Sequence, residues 1–127
     1  MKLIISNVSG VPIYKQIKEQ IKSAILSGEL EENEALPSLR KLSKHLKISV
    51  LTTTRAYTEL EQEGFVKNIQ GKGCYVMERG SKLIREHLIR EVEKNLTNAI
   101  LAAKRADLKI TDLHSMLDIL EEAEDDE

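Results

Sequence analysis

The chain has 127 residues and a mass of 14.4 kDa, and 41% of its residues are hydrophobic, 31% charged and only 3% aromatic. This length fits one domain, or a small domain with an appendage, and excludes most large catalytic folds. The formal net charge of -2 hides a segregation, because residues 1–117 carry +5 and seven acidic residues follow from Asp118 onwards without a basic one, so nucleic acid is not excluded as a partner.

The first predicted elements are an N-terminal segment and a helix. Apolar residues 3–5 precede a run of turn-forming residues, which is typical either of a small strand or of a tucked arm. Pro12 suits the first turn of a helix, and apolar residues then recur at spacings of three and four. We therefore predict a helix over residues 12–27 that ends at Gly28.

Two further helices are predicted to follow a loop. Ser38 is a good N-cap for a helix of about two turns that ends near Leu46. Ser49 is a second N-cap candidate, for a helix that reaches Gly64 and carries Thr53, Ala56, Tyr57 and Leu60 on one side. Two helices joined by a turn of three or four residues indicate a helix-turn-helix.

The pattern then changes from helix to strand. Residues 65–69 and 74–77 are predicted to be strands, and a glycine-containing turn at 70–73 separates them. Three helices followed by a hairpin indicate a winged helix-turn-helix. The predicted fold class is therefore mainly α with a small β-hairpin wing.

The remainder of the chain is helical in pattern. An apolar stripe runs from Leu83 to Ala103, a break spans 107–112, and a last helix is capped by Thr111 or Asp112. The acidic end, 121–127, is expected to fray. We predict a winged helix-turn-helix domain at 1–79 and, because two helices cannot enclose a core alone, a helical dimerisation segment at 80–127. The predicted dimerisation residues are Leu88, Val92, Leu96, Ile100, Leu113, Leu117 and Leu120.

The third helix carries the side chains expected to contact DNA. Short hydroxyls and a guanidinium near its start can reach phosphates or base edges, and helix starts favour phosphate. At the predicted wing, a lysine between two glycines allows a close backbone approach to a groove. The residues predicted from these patterns are Arg40, Lys44, Ser49, Thr52, Thr54, Arg55 and Lys72.

The order and spacing of several short segments resemble the GntR family of bacterial transcription regulators. The resemblance covers about residues 10–77 and ends in a wing that resembles the family's glycine-lysine-glycine turn. The segments that carry it are PIYKQI at 12–17, SGEL at 27–30, LPSLRKL at 36–42, TTTRAY at 52–57, LE at 60–61 and EG at 63–64.

This resemblance implies a function. The short tail is similar to that of the YtrA-like subgroup, which implies a homodimer that binds a two-fold operator, usually as a repressor, with transporter genes among its common targets. By position it implies DNA contacts from Arg40, Leu51, Thr52, Thr53, Arg55 and Gly71. Thr53 is alternatively a core residue.

Three positions depart from the family pattern. Asn33 stands where a glycine is common, and asparagine can adopt the same left-handed turn. Lys47 occupies a turn position that is often glycine. Leu51 replaces a residue that is often polar, so either it contacts a thymine methyl or the readout of the bases differs.

Competing functions are weaker. No catalytic constellation, glycine-rich phosphate loop or metal-ligand spacing is present, so we predict no enzyme, no cofactor and no metal. The alternative is a winged-helix protein-interaction module without specific DNA binding. A small-molecule effector stays open and unidentified.

The sequence also bears on location. Cys74 is the only cysteine, which excludes an internal disulfide and is typical of a reducing compartment. No apolar run is long enough to span a membrane, and polar residues interrupt the opening segment before a signal-peptide core. We therefore expect a cytoplasmic protein with no membrane association.

Overall fold

Helices dominate the chain, and one antiparallel hairpin interrupts them. The computed structural model describes residues 1–78 and 81–125. Within these residues the predicted fold class is confirmed. In chain order the elements are α1 Ile13–Ser27, α2 Leu39–Leu46, α3 Val50–Gln62, β1 Val66–Ile69, β2 Gly73–Val76, α4 Lys82–Arg105 and α5 Ile110–Asp125.

The contacts divide the chain into two units, Met1–Leu88 and Ile89–Glu127. The predicted boundary followed residue 79, nine residues earlier. The difference arises because Ile84, in the first turn of α4, is buried in the core of the first unit, and Leu88 packs against that core.

In the first unit, α1 and α2 both pack on α3, and α3 contacts β1. The apolar stripe predicted for α1 is buried here because its spacing of three and four places it on one face. The core contains two aromatic side chains, Phe65 and Tyr57, among aliphatic ones. Its largest fully buried residues are Phe65, Ile17, Ile21, Leu60, Val66, Val76 and Thr53.

The turn between α2 and α3 is tight because its first residue adopts a left-handed conformation. Lys47 has φ 58° and ψ 47°, and its N–H donates to the carbonyl of Ser43. Ser49 then caps α3, accepting from the N–H of Thr52 at 3.1 Å. The predicted helix-turn-helix and both serine caps are confirmed.

The wing is anchored to the segment that precedes α2. β1 and β2 pair in antiparallel register, with Val66 opposite Val76. Beside β2, the N–H of Leu36 donates to the carbonyl of Cys74 at 2.8 Å. Asn33 has φ 64°, as its turn position predicted, and donates to the carbonyl of Val76 at 2.9 Å.

The N-terminal segment is a tucked arm and contains no strand. Two glutamines of α1 hold it by pairing their side-chain amides with backbone groups. Gln20 exchanges two hydrogen bonds with Ile4, at 2.9 and 2.7 Å, and Gln16 exchanges two with Ser6, both at 2.8 Å.

In the second unit, the break between the helices lies at 106–109, where Asp107 has φ 58°. The predicted caps, Thr111 and Asp112, are wrong, because α5 already begins at Ile110. Asp112 lies inside the first turn and accepts from the N–H of Lys109 at 2.8 Å. The expected fraying of residues 121–127 stays a prediction: α5 extends to Asp125, and the last two residues lie outside the described part.

The second unit encloses no core of its own among the described residues. Ala103 is its one buried residue there, and Leu113 is half-buried. Large apolar side chains on both helices remain exposed, which confirms that two helices alone cannot bury their stripes. Every helix in the described part is too short or too polar to cross a lipid bilayer.

Candidate nucleic-acid interface

The exposed face of α3 carries most of the predicted DNA contacts. Leu51 is 81% exposed at the second position of the helix, and Arg55 is exposed one turn later. Thr52 and Thr54 are half-buried between these positions. The face combines an apolar tip, hydroxyls and a guanidinium, which are groups that read base edges in a major groove.

Thr53 must be removed from this set. Its side chain is fully buried, and its hydroxyl donates to the carbonyl of Ser49 at 3.4 Å. It points into the core together with Ala56, Tyr57 and Leu60. The core alternative for Thr53 is therefore correct, because a side chain with no exposed surface cannot reach DNA.

Local hydrogen bonds occupy the hydroxyls at the start of α3. Ser49 and Thr52 share one at 2.8 Å, and Thr54 donates to the carbonyl of Val50 at 2.8 Å. With its hydrogen used in this way, the Thr54 oxygen can only accept. An acceptor is suited to the amino groups of adenine or cytosine and not to a phosphate oxygen.

A buried tyrosine fixes the start of α2 against α3. Tyr57 donates its phenolic hydrogen to the carbonyl of Pro37 at 2.7 Å. Burial, and to a lesser extent the neighbouring Cys74, raises the pKa of Tyr57, so the phenol stays protonated. Ser38 then caps α2, accepting from the N–H of Lys41 at 3.1 Å. Arg40 lies in the first turn of this capped helix, and its side chain is exposed.

One groove is lined by three separate elements: α2, the start of α3 and the wing. A cavity of about 540 Å³ is open to solvent here, and Arg40, Val50 and Lys72 all line it. Gly71 at the wing tip is exposed, and no atom lies within 4 Å of the position a Cβ would take. Lys44, one turn beyond Arg40, is also exposed. Residues far apart in sequence are thus brought together beside the exposed face of α3.

A ladder of charges links α1 to α3, and none of its ion pairs was predicted from the sequence. Lys18 contacts Glu59 at 2.9 Å and Glu63 at 3.0 Å, and Lys22 contacts Glu63 at 2.9 Å. Only the pair of Arg55 and Glu59, at a spacing of four in one helix, left a signal in the sequence. The pairs between α1 and α3 left no signal in the sequence, because their members are about 41 positions apart.

The ladder shifts the proton equilibria of its members. The hydrogen bonds that Lys18 donates to Glu59 and Glu63 raise the pKa of Lys18. The hydrogen bond from Lys18 lowers the pKa of Glu59, against a smaller opposing effect of burial. For Glu63, burial raises the pKa, but the hydrogen bonds from Lys22 and Lys18 together outweigh it and leave a lowered value. These groups therefore stay charged across the neutral range.

Arg55 is more constrained than its exposure suggests. Its Nε donates to Oε2 of Glu59 at 3.2 Å. Its Cζ lies 3.7 Å from the ring centroid of Tyr14, in the first turn of α1, which is a stacked cation–π contact. No spacing along the chain connects Tyr14 with this arginine, which lies 41 positions later.

Cys74 is buried beneath the wing. Burial, with a smaller contribution from the charge of Glu61, raises the pKa of its thiol to about 11. The thiol is therefore protonated at neutral pH and a poor nucleophile. In residues 1–78 and 81–125, no three histidine, cysteine or acidic side chains form a group that could hold a metal ion.

The predicted dimerisation residues fall into two groups. Leu88 belongs to the first unit and packs against its core, and Leu113 is half-buried in the second unit. The others are exposed, at between 41% and 60%, within the second unit. These exposed residues are Val92, Leu96, Ile100, Leu117 and Leu120.

Several known proteins are similar to this chain in sequence or fold. The chain is 31% identical to the HTH-type transcriptional repressor YtrA of Bacillus subtilis (strain 168) over 109 residues, which are 86% of this chain and 84% of that protein. It is similar to the structure of YtrA from Sulfolobus acidocaldarius, a GntR-family transcription factor, at 29% identity and a TM-score of 0.58, over 94% of this chain and 99% of that one.

A third relative was solved with DNA. The structure of AraR(DBD) in complex with operator ORX1 matches 60% of this chain and 95% of that one, with 25% identity and a TM-score of 0.53. Residues 13–76, which include all three helices and the wing of the first unit, match the family described as bacterial regulatory proteins, gntR family. The chain therefore belongs to the GntR family and is a DNA-binding transcription regulator and not an enzyme.

Proposed function

We propose that this regulator is a repressor that binds an inverted-repeat operator as a homodimer. Each copy places α3 in a major groove, with α2 and the wing beside it on the backbone. The observation that carries the proposal is the groove that Arg40, Val50 and Lys72 share beside the exposed face of α3. A duplex that follows this groove meets two cations from different elements at the same time.

The residues divide into two roles. Arg40 and Arg55 reach base edges, where loss of a bidentate contact costs about 1 to 3 kcal/mol. Leu51, exposed and apolar, suits a thymine methyl. Lys44 and Lys72 neutralise phosphates and so add affinity without sequence preference.

The second unit supports the homodimer. Its large apolar side chains are exposed on both helices of a single copy, and burying apolar surface is what stabilises most protein association. A stable interface covers about 800 Å² on each partner, and two helices of this length can supply such an area. Dimerisation by a two-fold axis then requires half-sites centred about 10 bp apart, or a multiple of that distance.

Repression and the target genes rest on the relatives. The Bacillus subtilis relative is named a transcriptional repressor. Control of transporter genes follows from the resemblance to the YtrA-like subgroup, and sites selected by this protein should then lie upstream of such genes.

A selection experiment tests the DNA interface. Duplexes that the protein selects from a randomised library should contain an inverted repeat, and their affinity should fall as salt rises. Lys72→Ala should weaken selected and random duplexes alike and reduce the salt slope by about one unit. Lys94→Ala, an exposed lysine of α4, is the matched control and should leave both unchanged. Selection of no common sequence would reject the proposal in favour of a protein-interaction module.

Sedimentation tests the dimer separately. The wild-type protein should be a dimer at micromolar concentration, and Leu96→Glu and Leu117→Glu should each produce a monomer, because a charge in an apolar interface is costly. Val8→Glu, at a position 94% exposed in the N-terminal arm, is the control and should stay dimeric. A monomeric wild-type protein would refute the homodimer.

A further inference from the structure

The guanidinium of Arg55 is held from two sides. Tyr14 covers one face of its plane at 3.7 Å, and Glu59 accepts from Nε at 3.2 Å. Tyr14 is itself half-buried and packs against the core, so the ring is a fixed surface. Glu59 is fixed in turn by Lys18 at 2.9 Å. Both contacts therefore connect the position of Arg55 to α1.

These contacts leave the recognition groups of the arginine accessible. Arginine has five N–H donors, and the contact with Glu59 uses the one on Nε. The side chain is 62% exposed, and the four donors on Nη1 and Nη2 remain for a ligand. Two donors in a rigid fork are what a guanine edge requires.

A fixed side chain binds better than a free one. A free arginine on a helix surface samples many rotamers, and binding DNA must select one of them at an entropic cost. Stacking on a fixed ring selects the rotamer before DNA arrives. A cation–π contact also covers only the face of the guanidinium and leaves its N–H edges open.

We propose that Tyr14 is a positioning residue for sequence recognition, which it performs by holding Arg55 ready for a base edge. The inference rests on the proposed function in one respect, that Arg55 contacts a base. It assigns a role in reading DNA to α1, a helix that lies outside the helix-turn-helix.

A double-mutant cycle tests this role. The probe is the duplex that the wild-type protein selects from a randomised library, with a random-sequence duplex beside it. Tyr14→Leu removes the aromatic face but keeps an apolar side chain, and it should weaken binding to the selected duplex about 3- to 10-fold. Tyr14→Phe keeps the face and should bind like the wild type. Binding to the random duplex should be the same in all three proteins.

The background of Arg55→Ala separates positioning from stability. In that background Tyr14→Leu should have no further effect, because no guanidinium remains to be held. An equal loss in both backgrounds, or full affinity in Tyr14→Leu alone, would overturn the inference while the Arg55 contact stands. Full affinity in Arg55→Ala would instead overturn the proposed Arg55 contact and the inference with it. Urea unfolding of each variant shows whether the folded fraction is complete at the assay temperature.

Discussion

Replacing Gly64 by alanine should destabilise the connection between α3 and the wing. Gly64 has φ +85°, which alanine adopts only with strain. A Cβ at this position would lie 2.3 Å from Cδ1 and 2.6 Å from Cβ of Leu83. The Cδ1 end of Leu83 can rotate away, since that side chain is 47% exposed, but its Cβ is fixed by the backbone of α4. The backbone must therefore shift.

The expected magnitude combines three effects. The left-handed conformation costs alanine about 1 to 2 kcal/mol. Alanine also lowers the conformational entropy of the unfolded chain, which offsets about 0.4 to 1 kcal/mol of this cost. Overpacking against Leu83 adds about 1 to 3 kcal/mol. We expect the free energy of unfolding to fall by about 1 to 5 kcal/mol, with a middle value of about 3 kcal/mol.

Urea unfolding followed by circular dichroism measures this change, and Gly71→Ala is the matched control. Gly71 has φ +79° but nothing within 4 Å of its missing Cβ, so Gly71→Ala should cost only about 0 to 1.6 kcal/mol, with a middle value of about 0.8 kcal/mol. Leu83→Ala in the Gly64→Ala background should recover part of the loss, because it removes the Cδ1 contact. Equal losses at the two glycines would refute the argument from Leu83.

Three further changes have expected outcomes. Lys47→Gly should stabilise the protein by about 1 kcal/mol, because glycine adopts φ 58° without strain. Tyr57→Phe should cost about 1 kcal/mol, since the half-buried carbonyl of Pro37 loses its donor. The hydrogen bond with Lys18 lowers the pKa of Glu59 in the folded protein. The ionised Glu59 therefore stabilises the fold above pH 4.5, its ordinary pKa, and this stabilisation is lost as the pH falls below that value. Stability should therefore fall less steeply in acid in Lys18→Met than in the wild type.

Unfolding measurements on neighbouring variants check these outcomes. Lys44→Gly, inside α2 and exposed, should destabilise by about 1 kcal/mol, opposite in sign to Lys47→Gly. Tyr75→Phe, whose hydroxyl makes an exposed bond of 3.3 Å to Lys72, should change stability by less than about 0.5 kcal/mol. Destabilisation by Lys47→Gly, a harmless Tyr57→Phe, or identical acid profiles with and without Lys18 would each contradict the reasoning.

The burial of Thr53 separates two kinds of evidence in the sequence. Helical periodicity placed Thr53 on the side of α3 that carries Ala56, Tyr57 and Leu60, and that side is buried. The family resemblance placed the same residue among the DNA contacts. Periodicity was correct because it follows from the geometry of this helix, whereas a resemblance carries a role over from other chains.

By itself the sequence determined the elements and their order. The helices, the two serine caps, the turn at Lys47 and the wing all arise from residues within a few positions of one another, and the sequence displays such local preferences directly.

Only the tertiary structure decided which distant residues meet. Tyr14 covers Arg55, Lys18 joins Glu59 from 41 positions away, and Ile84 enters the core of the first unit. These contacts depend on how helices pack in three dimensions. Since many packings would satisfy the same apolar stripes, no spacing along the chain specifies the partners.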